Sequence, residues 1–328
     1  MDWQTIISTT LSTLVGWQAV VYGLAAIGIN IHFGYTGLLN FGQAAFMAVA
    51  GYGLAVTVTV FDLPFFVGIL VGLAAAVLLA LLLGIPTLRL RADYLAIVTI
   101  AAAEIIRLIF RSVAFKEVFG GSDGRRGFNT DFYAMNPYPD GTYGIGPVSF
   151  DERSMWVLTV GWALVGVSCL VVWALMRSPW GRVLKAIRED EDAVRSLGKN
   201  VFSYKMQSLI LGGVIGCLAG FIYGLYFGSV QPDVFGTELT FFAYTVVILG
   251  GAARVLGPVV GAMIFWVLFV FVSGTLAEAT RAGYIPFMTE TQVGPIVYAL
   301  VGFGFILLLV FRPQGIFGDK REIALDAR

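Results

Sequence analysis

The chain is a succession of apolar runs separated by short polar breaks. They lie at 11–32, 38–60, 64–86, 94–115, 155–176, 206–228, 239–250, 256–273 and 293–311. A bilayer's hydrocarbon core is about 30 Å thick and takes roughly 20 residues of helix, whose backbone must satisfy its own hydrogen bonds. Seven of the runs reach that length. The other two, 239–250 and 256–273, are short and are divided by Gly250-Gly251 through Gly257-Pro258. Two tilted crossings, or a re-entrant half-helix backed by one crossing, satisfy that pattern equally. The expected fold is an all-α polytopic membrane protein, a single domain over 1–328. It has eight or nine transmembrane helices, at least one of them interrupted or re-entrant. With 58% apolar and 13% charged residues, disorder is excluded.

Placement of charge sets the orientation. The 21 basic residues balance 21 acidic ones, so no basic excess exists to neutralise phosphates and nucleic-acid partners are excluded. With nine crossings, one set of loops holds 14 Lys/Arg: Arg89, Arg91, seven in 177–205, Arg254 and four in the tail. The other set holds five, namely Lys116, Arg125, Arg126, Arg153 and Arg281. The positive-inside rule then expects the N-terminus outside and the C-terminus inside. On that reading 116–153 is an external loop, while 177–205 and the tail 312–328 are cytoplasmic.

Few residues offer chemistry. Cys169 and Cys217 sit in apolar stretches and read as small hydrophobes, and His32 is the lone histidine, so no metal site is expected. The start Met1-Asp2-Trp3-Gln4 lacks the basic region of a cleaved leader. No GxxxxGK[ST] is present, so no nucleotide or other cofactor is expected on this chain. No catalytic constellation is visible, and an enzyme is disfavoured.

Glu104, Arg107 and Arg111 share one helix face by their spacing of three and four. Mid-membrane, an unpaired carboxylate costs several kcal/mol, so Glu104 is paired, protonated or facing water. A structural pair with Arg107, a contact on a translocation path and a proton relay are the readings. A Gly- and amide-rich break runs from Asn30 to Gln43, and a second from Gly250 to Gly257. Paired interruptions point to a substrate site, since unwound backbone is tolerated only beside protein or a wet cavity. Asn40 and Gln43 are therefore path candidates, or simply helix caps. Glu238 is a further path candidate, or an acidic residue favouring a helix N-terminus. Gly212, Gly216, Gly220, Gly224 and Gly228 form one stripe of small residues and Gly68, Gly72, Ala76, Ala80 and Gly84 another. Such stripes let helices pack closely, or slide, against protein.

Loop 177–205 is the most distinctive segment. A helix is expected over Val183–Leu197, with apolar Leu184, Ile187, Ala193, Val194 and Leu197, ended by Gly198. It suits docking into a groove of a soluble partner, or rests on headgroups. The turn-rich Gly120-Gly121-Ser122-Asp123-Gly124 lacks the strand–helix context of a phosphate cradle and reads as a loop presented to an external partner.

Five ordered segments carry a family resemblance: GYTGLLNFGQAAFMAVAGY (34–52), LRLRADYLAIVTIAAAEIIR (88–107), GGSDG (120–124), GRVLKAIREDEDAVRSLG (181–198) and VILGGAARVLGPVVGA (247–262). Together they resemble the permease subunits of branched-chain amino-acid ABC importers, the LivM type more than the LivH type because of LRLRADYLAIVT and the long loop after it. The likeness runs from about residue 20 to RPQGIFG (312–318). It implies a bacterial inner-membrane importer of leucine, isoleucine and valine working by alternating access. Its implied partners are a LivH-type second permease, two cytoplasmic ATPases that use the ATP, and an external or periplasmic binding protein.

By the same resemblance, 181–198 is the segment that meets the ATPase, with Arg182, Arg188, Glu191, Ala193 and Gly198 as contact candidates. It departs from the general importer signature by one extra residue between Glu191-Asp192-Ala193 and Gly198. A permease for urea or short amides is the alternative within the superfamily. A proton-coupled carrier using Glu104 is the alternative outside it.

Overall fold

The computed structural model describes residues 2–88, 92–285, 288–312 and 314–318. In chain order the helices are α1 (Trp3–Val15), α2 (Trp17–Ile29), α3 (Gln43–Thr59), α4 (Phe65–Thr87), α5 (Ala92–Arg111), α6 (Lys116–Phe119) and α7 (Thr130–Ala134). They continue as α8 (Glu152–Arg177), α9 (Pro179–Glu189), α10 (Glu191–Ser196), α11 (Val201–Phe227), α12 (Thr237–Gly250), α13 (Gly257–Arg281) and α14 (Glu290–Phe311). A π-helical turn, Asn30–Tyr35, continues α2. Two short antiparallel pairs complete the fold: β1 (Arg125–Arg126) with β4 (Ser229–Val230), and β2 (Thr142–Ile145) with β3 (Val148–Asp151).

This is a helical, multi-pass membrane protein. Among the described residues six helical stretches are long and apolar enough to cross: Trp3–Tyr35 taken together, α4, α8, α11, α13 and α14; α3 and α12 are shorter. The first helix starts at Trp3, well before the apolar run at 11. Ser8, Ser12 and Thr13 bond back to the carbonyls of Thr5, Ser8 and Thr9, so their hydroxyls sit satisfied in the helix despite their polarity. At Gly16 the backbone turns extended (ψ 179°) and divides the run into α1 and α2. α13 outruns the expected 256–273 by eight residues. Its polar last turns are held by Thr280 bonding the Leu276 carbonyl and by Arg281 bonding Glu290 of α14 at 3.2 Å. α12, with 14 residues, spans about 21 Å at 1.5 Å per residue and falls short of a full crossing.

The centre is built from α2, α3 and α11, where Val20, Leu24, Phe46, Leu54 and Cys217 are fully buried. The α11 glycines explain the close fit. A Cβ on Gly212 would lie 2.2 Å from the His32 ring, and one on Gly216 would lie 1.5 Å from the Gln43 amide. At Gly220 it would meet the Met47 carbonyl. Gly228 falls outside this stripe: it ends α11 in the left-handed region (φ 61°). On α4, Gly68, Gly72 and Gly84 meet Leu54, Phe221 and Met206, so both stripes face protein.

At one end, here the loop end, residues 112–151 fold into short elements. Gly124 has φ +69° and approaches the Val230 carbonyl where a Cβ would be 1.9 Å away, which lets β1 reach β4. Arg125 ties the turn down through the Val118 carbonyl at 2.8 Å and that of Glu117. The GGSDG turn is thus packed onto residues 229–231, and Gly121 is buried. At the opposite end lie α9 and α10. The single helix expected over Val183–Leu197 is broken at Asp190, whose extended backbone (φ −154°) lets its carboxylate cap α10 through the Asp192 and Ala193 N–H groups at 3.0 Å. Gly198 follows with φ +76°.

Candidate functional site

A cavity of about 580 Å³ opens at the loop end, where α5 meets the turn before α12. Arg107, with only 16% of its side chain exposed, organises the polar side. Its Nε and Nη2 donate to the two Glu104 oxygens at 3.0 and 2.5 Å, and its Nη1 donates to Asp233 at 2.7 Å. Such a forked guanidinium–carboxylate pair fixes geometry as well as charge. Arg111, one turn on, reaches the same Asp233 oxygen at 3.2 Å. Glu238 lines the cavity in the first turn of α12 and is exposed, with no ion pair among the described residues. The other side is aromatic: Tyr22 lies 4.7 Å from Trp266, and Phe242 stacks on Tyr298 at 5.9 Å. Carboxylates, one guanidinium and an apolar wall therefore meet in one space of ordinary ligand-pocket size.

Of the four path candidates, this cavity holds Glu104 and Glu238. Asn40 and Gln43 lie elsewhere, fully buried, Asn40 in the break between α2 and α3 and Gln43 at the first position of α3. His32 Nε2 bonds the Leu209 carbonyl at 3.1 Å, and a carbonyl can only accept, so that nitrogen carries the proton. His32 Nδ1 then accepts from Asn40 Nδ2 at 3.2 Å, while Asn40 Oδ1 accepts from the Gly42 N–H at 2.9 Å. Tyr244 adds a bond to the Asn40 carbonyl at 2.9 Å. Asn40 thus has internal partners for both amide atoms. The Gln43 amide, wedged against Gly28 and Gly216, has none among the described residues.

The two Gly-rich breaks dock on each other. Asn30 donates to the Arg254 carbonyl at 2.9 Å and accepts from the Ala253 N–H at 2.8 Å. The tail joins this knot, with Ile316 and Phe317 donating to the carbonyls of Leu249 and Gly250. Of the tail, residues 313 and 319–328 lie outside the described residues, as do Arg89 and Arg91.

The α9–α10 segment grips the same knot. Arg188 donates to the Gly34 carbonyl at 2.7 Å, and its aliphatic part packs on Gly37, whose φ is +73°. Glu191 pairs with Lys205 of α11 and with Arg195 at 2.9 Å. Leu184, Ile187 and Val194 face inward, while Arg182, Ala193, Leu197 and Gly198 are exposed. Of the five residues expected to meet an ATPase, Arg188 and Glu191 are thus committed to internal bonds. The other three lie on the outer surface.

A family model for the branched-chain amino acid transport system / permease component matches residues 12–311. The chain belongs to that family. Its relatives include the high-affinity branched-chain amino acid transport system permease protein LivM of Salmonella typhimurium, 28% identical over 94% of this chain and 70% of that protein. The probable LivM permease of Methanocaldococcus jannaschii is 26% identical over 94% of both chains. The LivH permease of Escherichia coli is 24% identical over 90% of this chain and 91% of that one.

Sequence reasoning missed Asp233 and the aromatic wall. Asp233 stands 126 positions from the arginine it binds. Tyr22, Phe242, Trp266 and Tyr298 come from four different helices, so no local pattern joins them. The one sequence signal was Arg107 and Arg111 on one face, which carries one more cation than Glu104 can neutralise.

Proposed function

We propose that this chain is the LivM-type membrane-spanning subunit of an ATP-driven importer for branched-chain amino acids in the bacterial inner membrane. A second, LivH-type permease, two ATPase subunits and an external binding protein complete it. The observation that carries the reading is the family match over 12–311 together with the loop-end cavity. A leucine-like substrate needs partners for an ammonium and a carboxylate, and an apolar surface for its side chain. Glu238, without an ion pair among the described residues, suits the ammonium. The first N–H groups of α12, at Thr237 and Glu238, suit the carboxylate, as unwound helix ends do in other carriers. The rings of Tyr22, Phe242 and Trp266 suit the aliphatic part. Urea or a short amide would leave the charged groups without counter-charge, which disfavours that alternative.

In this reading the loop end is external and α9–α10 face the ATPases. Closure of the ATPases on ATP pushes the exposed face around Arg182, Ala193 and Gly198. Arg188 passes the movement to Gly34, and the Asn30 knot passes it to the turn after α12. The half-length α12 then shifts, and with it Glu238 in the cavity. The equilibrium moves only by the difference in binding free energy between the two states. Reconstitution of the purified permease pair with both ATPases, and binding protein outside, tests this. ATP-dependent uptake of labelled leucine, competed by isoleucine and valine and not by urea, is expected. Uptake competed by urea alone would overturn the substrate assignment.

A further inference from the structure

A second cavity lies toward the other end of α5, under the α9–α10 hinge. It measures about 260 Å³ and is lined by Leu38, Leu95 and Ile187 together with Arg188, Glu191 and Lys205. That is just below the ~300–1,000 Å³ of sites for drug-sized ligands, so a small metabolite fits. Leu95 stands nine positions before Glu104, so the two cavities abut α5 about 13 Å apart along its axis.

The chemistry of the lining is selective. Lys205 is almost buried, with 11% of its side chain exposed, and is paired with Glu191, whose other oxygen holds Arg195 at 2.9 Å. Arg188 spends one Nη on the Gly34 carbonyl. Two cationic groups, one carboxylate and an aliphatic wall therefore meet in one small space. An inorganic anion would face Glu191, a simple cation would face Arg188 and Lys205, and an apolar solute would leave all three desolvated without compensation. A small amino acid with an aliphatic side chain meets every part of the lining. The loop-end cavity also joins both signs of charge to an apolar wall, with one guanidinium, three carboxylates and aromatic rings in place of the aliphatic wall.

The walls belong to parts that move against one another in the mechanism above. Ile187, Arg188 and Glu191 sit on either side of the Asp190 break, Leu38 on the unwound segment after α2, Leu95 on α5 and Lys205 on α11. We propose that this cavity is an inner site for the free aliphatic amino acid, and that an occupant there clamps α9–α10 to the transmembrane body and slows the cycle. The importer is then inhibited from inside by its own product. This rests on the amino-acid reading of the chain.

The test uses the complete importer in vesicles carrying ATP inside, with binding protein and labelled leucine outside. Vesicles are loaded with unlabelled L-leucine, with 4-methylpentanoate, which lacks the ammonium group, or with neither. Internal L-leucine is expected to lower the initial uptake rate several-fold and saturably, and 4-methylpentanoate to leave it unchanged. Two variants follow, each normalised to its own unloaded vesicles. Leu95→Phe fills the cavity and leaves the charges, and the double change Glu191→Gln with Lys205→Met removes the Glu191–Lys205 charges, leaves Arg188 and keeps the volume. In either one the ratio of loaded to unloaded rate should return to near one.

An unchanged ratio in the wild type, or the same inhibition in both variants, overturns the inner site. Failure of unloaded wild-type vesicles to take up leucine would instead refute the amino-acid reading.

Discussion

The break after α2 and the loop-end cavity both place polar groups in an apolar body, and they are built on opposite terms. In the break after α2, Asn30, His32 and Asn40 each spend their side-chain atoms on the protein itself, tying one unwound segment to the other. In the loop-end cavity the charges outnumber their internal partners. Arg107 and Arg111 serve Glu104 and Asp233, and Glu238 is left over. An interrupted helix thus marks a joint here, and the charged cavity forms where a helix face, a turn and a half-length helix converge. The first region should govern stability and coupling, the second substrate affinity.

The largest effect should come from breaking the joint. Asn30→Leu removes the hydrogen bonds to the Ala253 N–H and the Arg254 carbonyl, a loss of ~2–4 kcal/mol. Thermal unfolding of the purified permease should shift downward markedly, with uptake lost in proportion to the folded protein. Gly216→Ala comes next: its methyl meets the Gln43 amide, and overpacking of this kind costs ~1–3 kcal/mol. The companion change Gln43→Ala should restore most of the melting temperature, and no recovery would argue against that contact.

Substitutions in the cavity should behave differently. Glu238→Gln is expected to raise the apparent KM for leucine uptake about tenfold, equivalent to ~1.4 kcal/mol, with the melting temperature unmoved. A lower melting temperature with unchanged KM would place Glu238 with the structural residues. The smallest effect, roughly fivefold or ~1 kcal/mol, is expected for Arg188→Met in leucine imported per ATP hydrolysed. ATP turnover itself should persist, and Arg188→Lys should recover part of the ratio.

Much of this was legible in the chain. The apolar runs located the long helices, and a spacing of three placed Glu104 beside Arg107. The α4 and α11 stripes were visible as spacing, but it was not visible that Gly228 ends its helix or that two of the glycines make room for His32 and Gln43. Hydropathy hid the start of α1, because Ser8, Ser12 and Thr13 hide their polarity in helix carbonyls. The break at Asp190 was hidden by the strong helix formers around it, and only the carboxylate's capping of Asp192 and Ala193 reveals it. The link from Asn30 to Ala253 and Arg254, and the one from Arg107 to Asp233, join residues more than a hundred positions apart, which local periodicity cannot carry.

The contrast between the two regions is tested most directly by accessibility. With Cys169 and Cys217 replaced by Ala, single cysteines at Glu238→Cys and Gln43→Cys can be treated with a membrane-impermeant thiol reagent from the loop-end side of the reconstituted importer. The account predicts rapid modification at position 238, slowed when leucine-loaded binding protein delivers substrate, and no modification at position 43. Modification at 43 that substrate slows, with 238 unreactive or indifferent to substrate, would contradict it.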